Sequence, residues 1–186
     1  SIVFNPHKWL FTPFDASLLF FRDPDAFRDA FSLVPEYIRT GVGDEVRNYN
    51  EYGIQLGRRF RALKMWIQIR WFGVRGIQAR IREHCDWAQE FAGWIDAADD
   101  WERLAPVPFS TVCYRYRCAG LDDEEALERR NAEILERINA SGRYYLSHTK
   151  LQGRYTLRLA LGNLRATRDH VRGIWDALQE AAAATA

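Results

Sequence analysis

Between residues 74 and 95 the side chains Val74, Ile77, Ile81, His84, Ala88, Phe91 and Ile95 recur at spacings of 3, 4, 3, 4, 3 and 4. That period holds one stripe on one face of a long helix. The stripe must be covered, either by a second copy in a coiled-coil dimer or by packing within the protein, and packing within the protein is expected. His84 on this seam is expected to be a packed histidine rather than a ligand. The preceding residues, 58–72, are apolar almost all round, with Phe60, Leu63, Met65, Trp66, Ile67, Ile69 and Trp71. Such a helix is expected to be deeply buried.

The elements around these helices are shorter. Ser1-Ile2-Val3-Phe4 and Ser17-Leu18-Leu19-Phe20-Phe21 are apolar runs of strand type, the second short enough for a buried strand. Asp23-Pro24 starts a brief helix carrying Phe27 and Phe31. No period survives from about residue 32 to 55, and a loop of that length inside a compact domain is usually a lid, a binding loop or disordered. Character changes at Pro106-Val107-Pro108. Beyond it, residues 109–117 alternate like a strand, and 122–140 read as a helix ending at Ser141-Gly142. Residues 143–149 and 154–161 form a hairpin around Gln152-Gly153, and a last helix is capped by Thr167. This β-α-β-β-α order predicts an α+β module with an antiparallel sheet. The expected division is therefore residues 1–105 and 106–186.

Composition excludes several classes. The chain has 186 residues, 47% hydrophobic and 27% charged, as in an ordinary globular protein. Its formal net charge of +1 gives no electrostatic footprint for nucleic acid or an anionic membrane. Three cysteines, with no CxxC pair and no histidine at ligand spacing, argue against a disulfide framework or a metal site and for a reducing, cytoplasmic compartment. No apolar run is long enough to span a membrane. P-loop, GxSxG, HExxH and EF-hand patterns are absent.

Three places could carry chemistry. Of 26 basic side chains only Lys8, Lys64 and Lys150 are lysines. Lys8 follows a strand-like run and sits beside His7 and Trp9, with Leu10 and Phe11 after it. A lysine in partly desolvated surroundings is more readily neutral and can condense with a carbonyl. The competing reading is a surface lysine on a loop. On an extended segment Asn5 and His7 would point to the same side and could bind phosphate oxygens. Tyr37, in the long loop, is a neutral proton donor if the loop closes over a site, and otherwise an exposed aromatic. Arg158 lies mid-strand on the face opposite Tyr155, Leu157, Leu159 and Leu161, where a guanidinium suits either bidentate capture of a carboxylate or a structural ion pair.

Taken together, several segments resemble the carboxy-terminal part of the group II pyridoxal-phosphate-dependent amino-acid decarboxylases, especially the aromatic-L-amino-acid type. They are Phe4-Asn5-Pro6-His7-Lys8-Trp9, Phe14-Asp15-Ala16-Ser17, Leu33-Val34-Pro35-Glu36-Tyr37, the run from Leu56-Gly57-Arg58 through Lys64-Met65-Trp66, and Tyr155-Thr156-Leu157-Arg158-Leu159-Ala160, in the family's order. The resemblance implies the C-terminal part of a fold-type-I (aspartate-aminotransferase-like) α/β major domain over 1–105, followed by a small α+β domain over 106–186. It implies that Lys8 binds pyridoxal 5′-phosphate covalently, with His7 and Asn5 beside the cofactor helping to hold its phosphate. The tyrosine matching Tyr37 returns a proton to the substrate carbon after carbon dioxide leaves; relatives with phenylalanine there tend to be aldehyde synthases. Arg158 matches an arginine near the substrate carboxylate, and Gly57 a position that lines the substrate side chain, where glycine leaves room for a larger ring. The expected activity is decarboxylation of an aromatic L-amino acid, a small-molecule substrate, by a homodimer. The family's ring-stacking histidine and pyridine-binding aspartate precede the lysine motif, so this chain is expected to be a fragment. A catalytically silent piece, a dimerisation scaffold, or a decarboxylase of glutamate or histidine are the alternatives.

Overall fold

A computed structural model of the chain describes residues 1–32, 48–117, 120–121 and 123–185. Its contacts fall into two compact units, Ser1–Gly73 and Val74–Ala186.

In the first unit, strands β1 (Ile2–Phe4) and β2 (Leu18–Phe20) pair antiparallel, with Ile2 opposite Phe20 and Phe4 opposite Leu18. Helix α1 (Pro24–Phe31) begins where its sequence predicts. Asp23 caps it by accepting from the amides of Asp25 and Ala26 at 3.1 and 3.0 Å, and Pro24 occupies the first turn, where no amide proton is needed. The Phe21 and Phe27 rings stack at 4.2 Å, and Tyr52, on a short 3₁₀ turn (Tyr49–Tyr52), lies 6.0 Å from Phe21. Most of the long aperiodic segment, residues 33–47, lies outside the described residues, and Tyr37 with it.

Helix α2 (Arg61–Asp96) is interrupted at Gly73, whose φ of 66° and ψ of 164° break the helical path. Residues without glycine's freedom seldom adopt such angles. Before the break the expectation of deep burial is overturned: Trp71 is 80% exposed, Trp66 59% and Ile67 51%. Strand β2 is not buried either, with Phe20 57% exposed. Among the described residues these faces stay open, because apolar periodicity marks a face as apolar without fixing what packs on it.

After the break the seam packs within the protein from Ile77 onward, as expected, while its first residue, Val74, is 63% exposed. Ala88, Phe91 and Ile95 join Tyr114, Ile134, Leu157, Val171, Trp175 and Leu178 in the core of the second unit. The Phe91 ring meets Tyr114 at 5.2 Å and Trp175 at 5.9 Å, both edge-on. The compact units therefore meet at Gly73 and Val74 rather than at 105/106, because Phe91 and Ile95 supply the core of the module that follows.

That module is a four-stranded antiparallel sheet in the order β3 (Trp101–Arg103), β4 (Thr111–Tyr116), β6 (Arg154–Ala160), β5 (Ser147–Leu151). Helices α3 (Glu124–Ala140) and α4 (Arg168–Ala184) contribute to the same core. Strand β3, three residues long, shows no alternation and was not foreseen. Strand β5 starts at Ser147 rather than residue 143. Asn131, 1% exposed, ties α3 to β4: it accepts from the Tyr116 amide at 2.8 Å and donates to the Tyr116 and Leu127 carbonyls at 2.9 Å. Among the described residues no helix is long and apolar enough to cross a membrane, and no group of His, Cys, Asp or Glu is placed to hold a metal ion.

Candidate active site

The segment carrying Lys8 is a pair of turns, not the extended stretch expected. Asn5-Pro6-His7-Lys8 closes a β-turn in which the Lys8 amide donates to the Asn5 carbonyl at 3.0 Å. Asn at the first position and Pro at the second favour such a turn. The Phe11 amide then donates to the Lys8 carbonyl at 3.2 Å, with Phe11 at a φ of 61°. Asn5 and His7 therefore do not share a side through strand alternation; each is anchored separately to the returning strand.

The Asn5 side-chain oxygen accepts from the Ser17 hydroxyl. This contact continues the β1–β2 register, in which Phe4 faces Leu18. Ser17 was missed from sequence, and pairing the two apolar runs as a hairpin would have found it. His7 Nδ1 lies 2.6 Å from the Ala16 carbonyl and 3.1 Å from its amide, and the ring packs edge-on against Phe14 at 5.0 Å. With Nδ1 occupied by backbone, the ring's other nitrogen and the Asn5 amide group are left to meet a ligand.

Lys8 is exposed, so the partial desolvation expected from Trp9, Leu10 and Phe11 is not supplied by the described residues. Among the described residues its amine has no hydrogen-bond or ion-pair partner. A primary amine on an ordered turn, with an imidazole nitrogen and a carboxamide on the residues before it, is a donor set that suits an aldehyde bearing a phosphate. A cavity of about 960 Å³ in the same unit is bordered by Ser17, Phe21, Phe27, Tyr52 and Arg58, but not by Asn5, His7 or Lys8. Gly57 is exposed, and a β-carbon there would meet nothing within 4 Å. Its own surroundings thus do not require glycine.

Arg158 lies in the second unit, on the sheet face turned from the core, as its alternation predicts. Two other arginines of that face are held by carboxylates. Arg115 reaches Glu102 at 3.0 Å and Glu124 at 2.7 Å, and Arg154 reaches Glu102 at 3.3 Å. Arg158 is half-buried and, among the described residues, has no carboxylate or other hydrogen-bond partner. The structural ion pair weighed for it is not formed here. A half-desolvated guanidinium is chemically able to take a carboxylate in bidentate fashion.

Residues 1–117 match the family described as "Pyridoxal-dependent decarboxylase conserved domain". Over 99% of its length the chain is 36% identical to tyrosine decarboxylase 1 of Narcissus pseudonarcissus, of which it covers 37%. It is likewise 36% identical, over 98% of its length, to phenylacetaldehyde synthase of Arabidopsis thaliana, again covering 37%. The crystal structure of Oryza sativa TDC with PLP and tryptamine superposes with a TM-score of 0.92 at 33% identity, over 98% of this chain and 38% of that one. The chain thus spans just over a third of the length of the curated relatives it matches. Motif order, fold and family match agree, and the chain belongs to the pyridoxal-dependent decarboxylases.

Proposed function

We propose that the protein carrying this chain decarboxylates an aromatic L-amino acid to its amine and carbon dioxide, with pyridoxal 5′-phosphate bound at Lys8. The observation that carries the reading is the Lys8 amine, partnerless among the described residues, on an ordered turn whose Asn5 and His7 are fixed to the opposite strand. When bound, the cofactor supplies an electron sink for the pair left by the departing carboxylate. Lys8 contributes the amine that holds it, and Asn5 and His7 present donors to its phosphate. Arg158 binds the substrate carboxylate and so orients the bond to be broken. Gly57 leaves space for an aromatic ring, and Tyr37 returns a proton to the substrate carbon. The functional unit in this reading is a cytoplasmic homodimer.

Lys8→Ala in the full-length protein is expected to abolish both the cofactor's absorbance band and amine formation; retention of both overturns the reading. The phenylacetaldehyde synthase relative makes aldehyde formation the competing outcome, and Tyr37 separates the two. Tyr37→Phe is expected to shift products from amine towards aldehyde and ammonia, with dioxygen and water consumed and hydrogen peroxide released because that branch is a two-electron oxidation, and an unchanged product ratio at the normal rate removes Tyr37 from the chemistry.

The exposed Lys8 and the open apolar faces of β1, β2 and residues 61–72 favour a second statement: this length of chain alone is silent, and the remainder of a longer protein covers those faces. Incubation of the isolated chain with pyridoxal phosphate, followed by borohydride, is then expected to leave no stable adduct at Lys8.

A further inference from the structure

The strand register places two small residues directly opposite Arg158, on the same face of the sheet. Arg158 on the central strand β6 is directly opposite Cys113 of β4 and Ser147 of β5. Directly opposed residues of an antiparallel pair carry their side chains on the same face, with β-carbons ~5 Å apart. The neighbouring residue confirms the direction. His148 stacks on Tyr155 at 4.6 Å with 13° between the rings, and Tyr155 belongs to the core, so Ser147 turns the other way, towards Arg158. Ser147 is half-buried, and its hydroxyl has no hydrogen-bond partner among the described residues. The next hydroxyl along β6, that of Thr156, is occupied, since it donates to the Arg154 carbonyl at 2.9 Å. Cys113, on the other flank, carries only a weak donor.

We propose that Ser147 is a substrate-binding residue: its hydroxyl donates a hydrogen bond to the same carboxylate that Arg158 binds. The inference rests on the proposed function and adds to it a second donor, fixed on the edge strand. The pair forms a two-donor clamp in which Arg158 neutralises the charge and Ser147 fixes the carboxylate's rotation. A ligand without a carboxylate gains nothing from Ser147.

Thr and Val at position 147 have nearly the same shape, suit a strand and differ in the hydroxyl. In the full-length holoenzyme, steady-state kinetics with L-tyrosine and L-tryptophan is compared with competitive inhibition by tyramine and tryptamine. Ser147→Thr is expected to keep the parent KM. Ser147→Val is expected to raise KM about tenfold, the size of one lost hydrogen bond to a charged group, while inhibition by the amines is unchanged. Equal KM values for the two variants overturn the inference. So does a Val variant that weakens amines and amino acids alike, which would mark a structural role. Arg158→Gln separates the two levels. If it raises KM while Ser147→Val does not, Ser147 alone is excluded; if neither moves KM, carboxylate binding by this face fails as well.

Discussion

His84 sits on the seam of α2 with no exposed surface, its ring 5.7 Å from that of Trp87. Burial pushes its imidazole below the ordinary value of 6.5, and the nearby Arg80 adds to the shift; a backbone hydrogen bond at Asn163 and the charge of Glu83 oppose it. The folded state therefore disfavours the protonated ring relative to the unfolded chain. The stability this contributes is complete above pH 6.5 and is lost as pH falls from there through the lower folded value. The urea midpoint is expected to drop between about pH 7.5 and about pH 5.5, and His84→Phe to flatten that drop. An identical slope in the variant would assign the loss to other groups. Sequence identified His84 as a packed histidine because its place in the period is unambiguous. The role of Ser17 was not legible, since a hydroxyl twelve residues from Asn5 acquires meaning only when the two strands pair.

Helix caps and turns were legible because their chemistry is local. Asp23 and Thr167 each satisfy amides of the turn that follows them, and Thr167 forms a reciprocal box with His170. The β5–β6 hairpin turns at Gln152 and Gly153, with φ of 51° and 80°. A two-residue turn with both φ positive favours Asn-Gly, and glutamine pays a steric cost there. Gln152→Asn is expected to stabilise the second unit by roughly 0.5 kcal/mol, read as a higher urea midpoint; a lower midpoint would show that glutamine makes a contact outweighing its strain. Strand β3 escaped notice because three residues hold no period, and its place is set only by pairing with β4, Trp101 opposite Tyr116.

At the scale of the molecule, exposed apolar surface among the described residues is distributed unequally between the units. The fully buried Phe91, Ile95, Tyr114 and Leu157 lie in the second, whereas Phe60, Trp66 and Trp71 of the first are exposed at 72, 59 and 80%. Large apolar side chains left this open lose the burial that stabilises the second unit. Backbone amides of residues 2–20 and 61–72 in the isolated chain are expected to exchange with solvent at least ~100-fold faster than those of Phe91–Ile95 and Leu157–Leu159. Equal protection would mean that the first unit is stabilised by something other than the burial seen here.

The amino-acid sequence alone determined the caps, the seam, the hairpin, the antiparallel module and the alternation that turns Arg158 from the core, because each is encoded within a few neighbouring residues. The tertiary structure decided the rest. It set the anchoring of Asn5 and His7 on the returning strand, the division of the units at Gly73, the exposure of Lys8, and the row Cys113–Arg158–Ser147. Each of these depends on which distant segments meet, and local periodicity records that a face is apolar or polar without recording what lies opposite it.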